Sequence, residues 1–342
     1  MNGNSVLLHP LTVLGSGGWG TALAVHLGGF GREIRLWGRD SALVESMKAE
    51  RENRAYLPGV FLPDSVQPME SLEEALKGAR CIVSAVPSHG TREVLKRAEP
   101  FAESDAIVVS ATKGLEVGTL MRMSEVVEEE LGVVRPVVVL SGPSFSTELV
   151  AGRPTAVSVA GKDALALETV QEQFHSRYFR LYATEDLVGV EIGGAMKNVI
   201  AIAAGAVESL GLGHNALSAL ITRGLAETSR LAAALGGRRE TLAGLSGLGD
   251  LVLTCTGALS RNRRIGIELG GGRPLNMILS EMKEVAEGVR TTGAALELGL
   301  RHQVEMPITS QMAEVLAGRK QPADAVQDLM LRRQRSEIDP LS

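Results

Sequence analysis

An α/β fold, a Rossmann-like doubly wound parallel sheet followed by an all-helical C-terminal domain, is predicted by three features of the 342-residue chain. Short β-branched or wholly apolar runs alternate with amphipathic stretches through the first half. A glycine-rich turn directly follows the first of those runs. Beyond about Thr184 the strand-forming runs stop and Ala, Leu, Glu and Arg dominate.

The runs Leu11–Leu14, Glu33–Trp37, Cys81–Val86, Ala106–Ser110, Val137–Leu140, Ala156–Val159 and Phe179–Tyr182 read as strands. They are too continuously apolar for a sheet with one wet face, so helices must cover both faces, and Thr21–Gly28, Ser41–Arg51 and Thr119–Leu131 are the candidates. In the second half Ala216–Leu235, Arg261–Leu269 and Ala323–Arg333 read as helices separated by glycine clusters. The boundary falls near Ala183–Val188, giving a dinucleotide-binding domain over 1–185 and a helical substrate and catalytic domain over 186–342, without a Pro/Ser-rich linker.

Composition narrows the function classes. A net charge of −5 argues against a general nucleic-acid or anionic-membrane binder, which needs a basic excess, so any bound anion must be met locally. An aromatic content of 3% ill suits a base-stacking platform. Cys81 and Cys255 form no metal-ligand spacing or disulfide framework and fit a reducing cytoplasm. Residues 1–10 lack the charged and apolar regions of a signal peptide, and the longest apolar runs read as far short of a bilayer span. His175, His214 and His302 sit in no triad or metal spacing, so no metal is assigned.

Gly15-Ser16-Gly17-Gly18-Trp19-Gly20 matches G-x-G-x-x-G, follows the first strand and opens a helix near Thr21. Gly15 permits the turn, Gly17 lets backbone approach a pyrophosphate, and Gly20 allows close helix–sheet packing, while the helix N-terminus favours an anion. After the second strand comes Gly38-Arg39-Asp40 rather than an acid at the ribose position. A guanidinium there can clamp a 2′-phosphate, favouring NADP(H), although Asp40 leaves NAD(H) open and Arg39 also reads as a solvated surface residue.

Lys197 stands alone in the apolar helical stretch Ile192–Ile200, where burial would lower its pKa and suit it to general acid/base work. Gly193 and Gly194 leave a side-chain-free patch beside it for a substrate or cofactor; the alternative is a lysine snorkelling to solvent. Ser260-Arg261-Asn262-Arg263-Arg264 offers an N-cap followed by a basic first turn, which reads as a phosphate site built from Arg261, Asn262 and helix N–H groups, or as a solvated basic face. Asp250, after Gly247-Leu248-Gly249, serves a ligand hydroxyl, orients Lys197, or caps a helix. Lys113 and the loop Gly142-Pro143-Ser144-Phe145-Ser146 follow strands at their carboxyl ends, where open α/β sheets bind ligands, though ordinary turn chemistry also explains each. The segment Glu281–Arg290 passes as an exposed helix.

In their order these segments resemble the NAD(P)-dependent glycerol-3-phosphate dehydrogenases of bacterial type. The likeness rests on Gly15–Ala22, Ala111-Thr112-Lys113-Gly114, Ser141–Phe145, Met196–Ala201, Gly247–Leu251 and Ser260-Arg261-Asn262. It implies hydride exchange between NAD(P)H and dihydroxyacetone phosphate, forming sn-glycerol 3-phosphate for glycerophospholipid synthesis in the cytoplasm. It implies Lys197 as catalytic proton donor and acceptor, with Lys113, Gly142, Ser144, Lys197, Asp250, Ser260, Arg261 and Asn262 on the substrate. Gly18, Trp19, Arg39, Lys113, Ser146, Arg261, Val285 and Glu287 fall at cofactor-contacting positions, Val285 and Glu287 by resemblance alone.

The expected partners are therefore a small phosphorylated triose or glycerol and a second copy of the chain in a homodimer, with no nucleic acid and no membrane insertion. Two rivals share the architecture: a hydroxyacid or ketopantoate dehydrogenase, which needs a carboxylate clamp instead of the Ser260-Arg261-Asn262 site, and a non-catalytic nucleotide sensor, in which Lys197 is dispensable.

Overall fold

The computed structural model describes residues 9–282, 286–334 and 336–337. Among the described residues eight strands form one sheet: β1 (Leu11–Leu14), β2 (Ile34–Trp37), β3 (Val66–Met69), β4 (Cys81–Ser84), β5 (Ile107–Ser110), β6 (Val137–Ser141), β7 (Thr155–Gly161) and β8 (Phe179–Thr184). Their order is β3-β2-β1-β4-β5-β6-β7-β8. The chain winds outward from β1 in both directions, so the crevice between β1 and β4 is where a doubly wound sheet receives its ligand. Apolar clusters fill both faces, one around Val13, Val83, Val109 and Val138, the other around Leu14, Ile82 and Val108.

Three expectations need correction. β7 runs antiparallel to β6, with Leu140 opposite Val159, and β8 pairs parallel to β7, so the sheet is mostly rather than wholly parallel. β3 is absent from the sequence reading, because Val66-Gln67-Pro68-Met69 is no continuous apolar run and contains Pro68; it lies at the sheet edge, where a missing N–H is tolerated. The helix expected over Thr119–Leu131 begins at Met123, since Leu120 adopts a left-handed φ of 65° and Leu115 bridges Arg122 ahead of it.

From Leu187 onward every regular element among the described residues is a helix. The Leu187–Ser209 helix forms the axis, packed against the Gly213–Ala234, Asp250–Thr256, Arg261–Gly270 and Glu287–Arg301 helices and against β6 and β7. Small residues set the closest crossing: a side chain at Gly205 would strike the Arg263 carbonyl, and one at Gly266 the Ile202 carbonyl. Contrary to the sequence reading, this axial helix is long and apolar enough to span a bilayer, but 94% of its apolar window is buried inside the protein. It is a core helix carrying Glu191, Lys197 and Asn198.

Candidate active site

The glycine-rich loop lies at the crevice. Gly15 takes a φ of +109°, and a side chain there would approach the Ala85 backbone to 2.9 Å, so the turn needs glycine. A side chain at Gly20 would run into the Gly15 carbonyl, whereas one at Gly17 would meet nothing within 4 Å. The helix begins at Gly18 rather than near Thr21, with Gly17 as N-cap and no acid in its first turn. Gly15, Gly17, Gly18, Trp19 and Gly20 thus form an open cradle whose N–H groups suit a pyrophosphate. The Trp19 indole nitrogen is buried there with no hydrogen-bond acceptor among the described residues.

Beyond β2, Arg39 is exposed and Asp40 caps the Ser41–Glu50 helix, its Oδ1 accepting the Leu43 N–H at 3.2 Å. Across β1, the Ser88–Ala98 helix begins after β4, and Glu287 clamps its start: Ser88 donates its N–H at 2.9 Å and its hydroxyl at 2.6 Å to the two carboxylate oxygens. Glu287 opens a helix running to Arg301, so the Glu281–Arg290 expectation misplaces that helix start, and Val285 lies outside the described residues. Arg290 follows Glu287 by one turn. Burial lowers the pKa of the neighbouring His89, and the charges of Arg290 and Arg39 add to that while Glu287 opposes it.

The carboxyl ends of the adjacent strands β5 and β6 carry Lys113 and Gly142 side by side. Lys113 Nζ donates to the Gly142 carbonyl at 2.8 Å, to Ser144 Oγ at 3.4 Å and to Asp250 Oδ2 at 2.8 Å. Ser144 also donates to the Gly142 carbonyl, and Ser146 opens the short Ser146–Val150 helix on the same loop. On the opposite wall Lys197 Nζ donates to Asp250 Oδ1 at 2.5 Å. Asp250 is 1% exposed and is the first residue of its helix rather than the cap, so its carboxylate is held by two ammonium groups.

The electrostatics follow from that arrangement. Burial brings the Lys197 ammonium down to about 8, Asp250 pulling it up and Lys113 pushing it down. Burial alone would favour neutral Asp250, but Lys113 and Lys197 outweigh it and hold the carboxyl below its ordinary range. Two cations around one carboxylate leave a local positive excess in an acidic protein, which suits a phosphorylated ligand.

The side-chain-free patch expected beside Lys197 is filled by protein. A side chain at Gly193 would meet the Ser246 carbonyl at 2.6 Å, and one at Gly194 the Ser141 hydroxyl at 2.6 Å. These glycines let the axial helix dock, and they do not admit ligand.

Ser260 is the helix cap expected, accepting the Arg263 N–H at 3.2 Å. The basic turn then divides. Arg263 pairs with Glu208, and Arg264 lies 3.5 Å from Glu268, as a solvated face would have it. Arg261 keeps solvent access; its pKa is lowered by the surrounding protein and raised by Glu287. The Asn262 side chain is a cross-brace, donating to Asn198 Oδ1 at 2.9 Å and accepting the Gly288 N–H at 3.1 Å. That brace ties the helix start to the residue after Lys197 and uses the amide oxygen and one amide hydrogen, so the second amide hydrogen and the backbone N–H groups are the donors suited to a phosphate.

Comparison with known proteins decides the family. A family model described as the N-terminus of NAD-dependent glycerol-3-phosphate dehydrogenase matches residues 10–166, and its C-terminal counterpart matches residues 186–327. The chain belongs to the NAD-dependent glycerol-3-phosphate dehydrogenase family. It is 50% identical over 335 residues to a glycerol-3-phosphate dehydrogenase [NAD(P)+] of Koribacter versatilis, covering 96% of this chain and 98% of the relative. A relative of the same name from Acidobacterium capsulatum is 51% identical over 335 residues, with 96% and 99% covered. The crystal structure of glycerol-3-phosphate dehydrogenase from Coxiella burnetii superposes with a TM-score of 0.92 at 42% identity, covering 95% of this chain and 99% of that one.

Proposed function

We propose that this glycerol-3-phosphate dehydrogenase reduces dihydroxyacetone phosphate to sn-glycerol 3-phosphate with Lys197 as proton donor and Asp250 as the carboxylate that aims and charges it. The observation that carries this reading is the buried Lys197–Asp250–Lys113 arrangement at the carboxyl end of the sheet. The glycine cradle fits a dinucleotide, which when bound supplies a hydride to the substrate carbonyl carbon. Lys197 then protonates the developing alkoxide, and near pH 8 the same group takes the proton back in the reverse direction. Lys113, the Gly142–Ser144 loop, Arg261 and the N–H groups after Ser260 bind the substrate and its phosphate, fixing the carbonyl within reach of Lys197.

NADP(H) is the favoured coenzyme. Arg39 follows β2 at the ribose position, and its charge and that of Arg290 both act on His89, while the Asp40 carboxylate that would select NAD(H) is engaged in capping. Glu287, with both oxygens on Ser88, lines the cofactor crevice rather than offering a free carboxylate. The two buried free thiols suit a cytoplasmic enzyme, and the glycine-rich helical half suits a homodimer, which sedimentation would test.

The deciding assay is oxidation of NADPH and NADH in parallel with dihydroxyacetone phosphate, with unphosphorylated dihydroxyacetone as control. Phosphate-dependent oxidation that is faster with NADPH supports the reading; equal rates with and without phosphate would remove the substrate assignment.

A further inference from the structure

Residues 51–65, between the Ser41–Glu50 helix and β3, carry none of the groups described above, yet they hold the nucleotide cradle. Asn53 is fully buried. Its amide nitrogen donates one hydrogen to the Ser16 carbonyl at 2.8 Å and the other to Thr21 Oγ1 at 2.8 Å, and its Oδ1 accepts the Tyr56 N–H at 3.2 Å. The segment is itself fixed: the Asn53 carbonyl accepts the Leu57 N–H at 2.8 Å, and Glu52 accepts the Gly59 N–H at 2.7 Å.

Ser16 lies between Gly15 and Gly17. Its carbonyl points inward to Asn53, with the Thr21 hydroxyl as a longer second donor at 3.4 Å. Across a trans peptide the C=O and the following N–H point in opposite directions, and no described peptide bond is cis. An inward Ser16 carbonyl therefore turns the Gly17 N–H outward, at a cradle glycine beside which a side chain would meet no described atom within 4 Å. Glycine offers little resistance to rotation of that peptide plane, so the orientation has to come from elsewhere.

We propose that Asn53 is a positioning residue for the dinucleotide pyrophosphate, locking the Ser16–Gly17 peptide so that its N–H faces the phosphate oxygens. The inference rests on the nucleotide-site reading above and deepens it. Asn53 acts through the loop and touches no reacting atom, so its effect belongs to nucleotide affinity and leaves the chemical step alone.

Asn53→Asp tests this, because it keeps the shape and the acceptor for Tyr56 while replacing both donors with an oxygen that repels the Ser16 carbonyl. The KM for NADPH is expected to rise about ten-fold or more, as for loss of an aligned donor to an anion. At saturating NADPH, kcat and the KM for dihydroxyacetone phosphate are expected to stay within about two-fold. A folded Asn53→Asp enzyme with unchanged KM for NADPH, or one in which kcat and both KM values worsen together, overturns the proposal. If that variant does not fold, Thr21→Val decides: a selective rise in the KM for NADPH of about three-fold supports the lock, and no change refutes it. Gly17→Leu separates this from the underlying reading: undiminished NADPH binding there removes the nucleotide site itself, whereas lost binding beside an unaffected Asn53→Asp removes Asn53 alone.

Discussion

Asp250→Asn replaces the shared counter-ion of Lys113 and Lys197 with a neutral amide of the same shape. In the native chain the carboxylate meets Lys197 at 2.5 Å and Lys113 at 2.8 Å with 1% of its side chain exposed, so water cannot take its place. Removing one member of such a buried pair costs about 3–5 kcal/mol. At about 1.4 kcal/mol per pKa unit the lower figure lowers Lys197 by about two units. It then falls from about 8 to about 6. At pH 7 only about a tenth of the enzyme would carry the proton that the reduction needs. The predicted result is a loss of about ten-fold or more in kcat/KM for dihydroxyacetone phosphate reduction at pH 7, with the alkaline limb of the profile moved from near pH 8 to near pH 6. Initial rates of NADPH oxidation across this pH range at constant ionic strength measure it. A uniform loss of rate with the limb still near pH 8 would refute the claim that Asp250 sets the charge of Lys197.

Further outcomes follow from the same geometry. Lys197→Ala is expected to abolish turnover while leaving NADPH binding, read by the nucleotide's fluorescence, within about two-fold; appreciable activity would mean that the proton comes from another group. Arg261→Ala is expected to raise the KM for dihydroxyacetone phosphate by about ten-fold or more through loss of a charge-assisted contact, and an unchanged KM would move the phosphate site. Arg39→Ala is expected to lower kcat/KM for NADPH by about ten-fold with little effect on NADH, and equal losses with both coenzymes would refute its role at the 2′-phosphate.

Legibility in the sequence followed how local each signal was. The cradle was readable because its three glycines, strand and helix are contiguous, and so was the Ser260 cap. Lys197 stood out as a lone cation in an apolar helix. The sequence left Asp250 open between a ligand hydroxyl, Lys197 and a helix cap: its partners lie 53 and 137 residues away, and only packing shows the pairing with Lys197 and Lys113. Gly193 and Gly194 misled for a related reason, since a missing side chain admits backbone as readily as ligand. Of the three arginines after Ser260, two found acids on neighbouring turns or helices, which spacing alone did not assign. Asn53 gave no signal at all, being one polar residue within the charged run Glu50–Arg54.

The measurement that bears most directly on the central claim is the pH dependence of the wild-type reaction in both directions. If Lys197 donates the proton during reduction and accepts it during oxidation, kcat/KM for dihydroxyacetone phosphate falls as pH rises through about 8, while kcat/KM for glycerol 3-phosphate rises through the same value. Profiles that are flat there, or that bend the same way in both directions, would contradict Lys197 as the group that carries the proton.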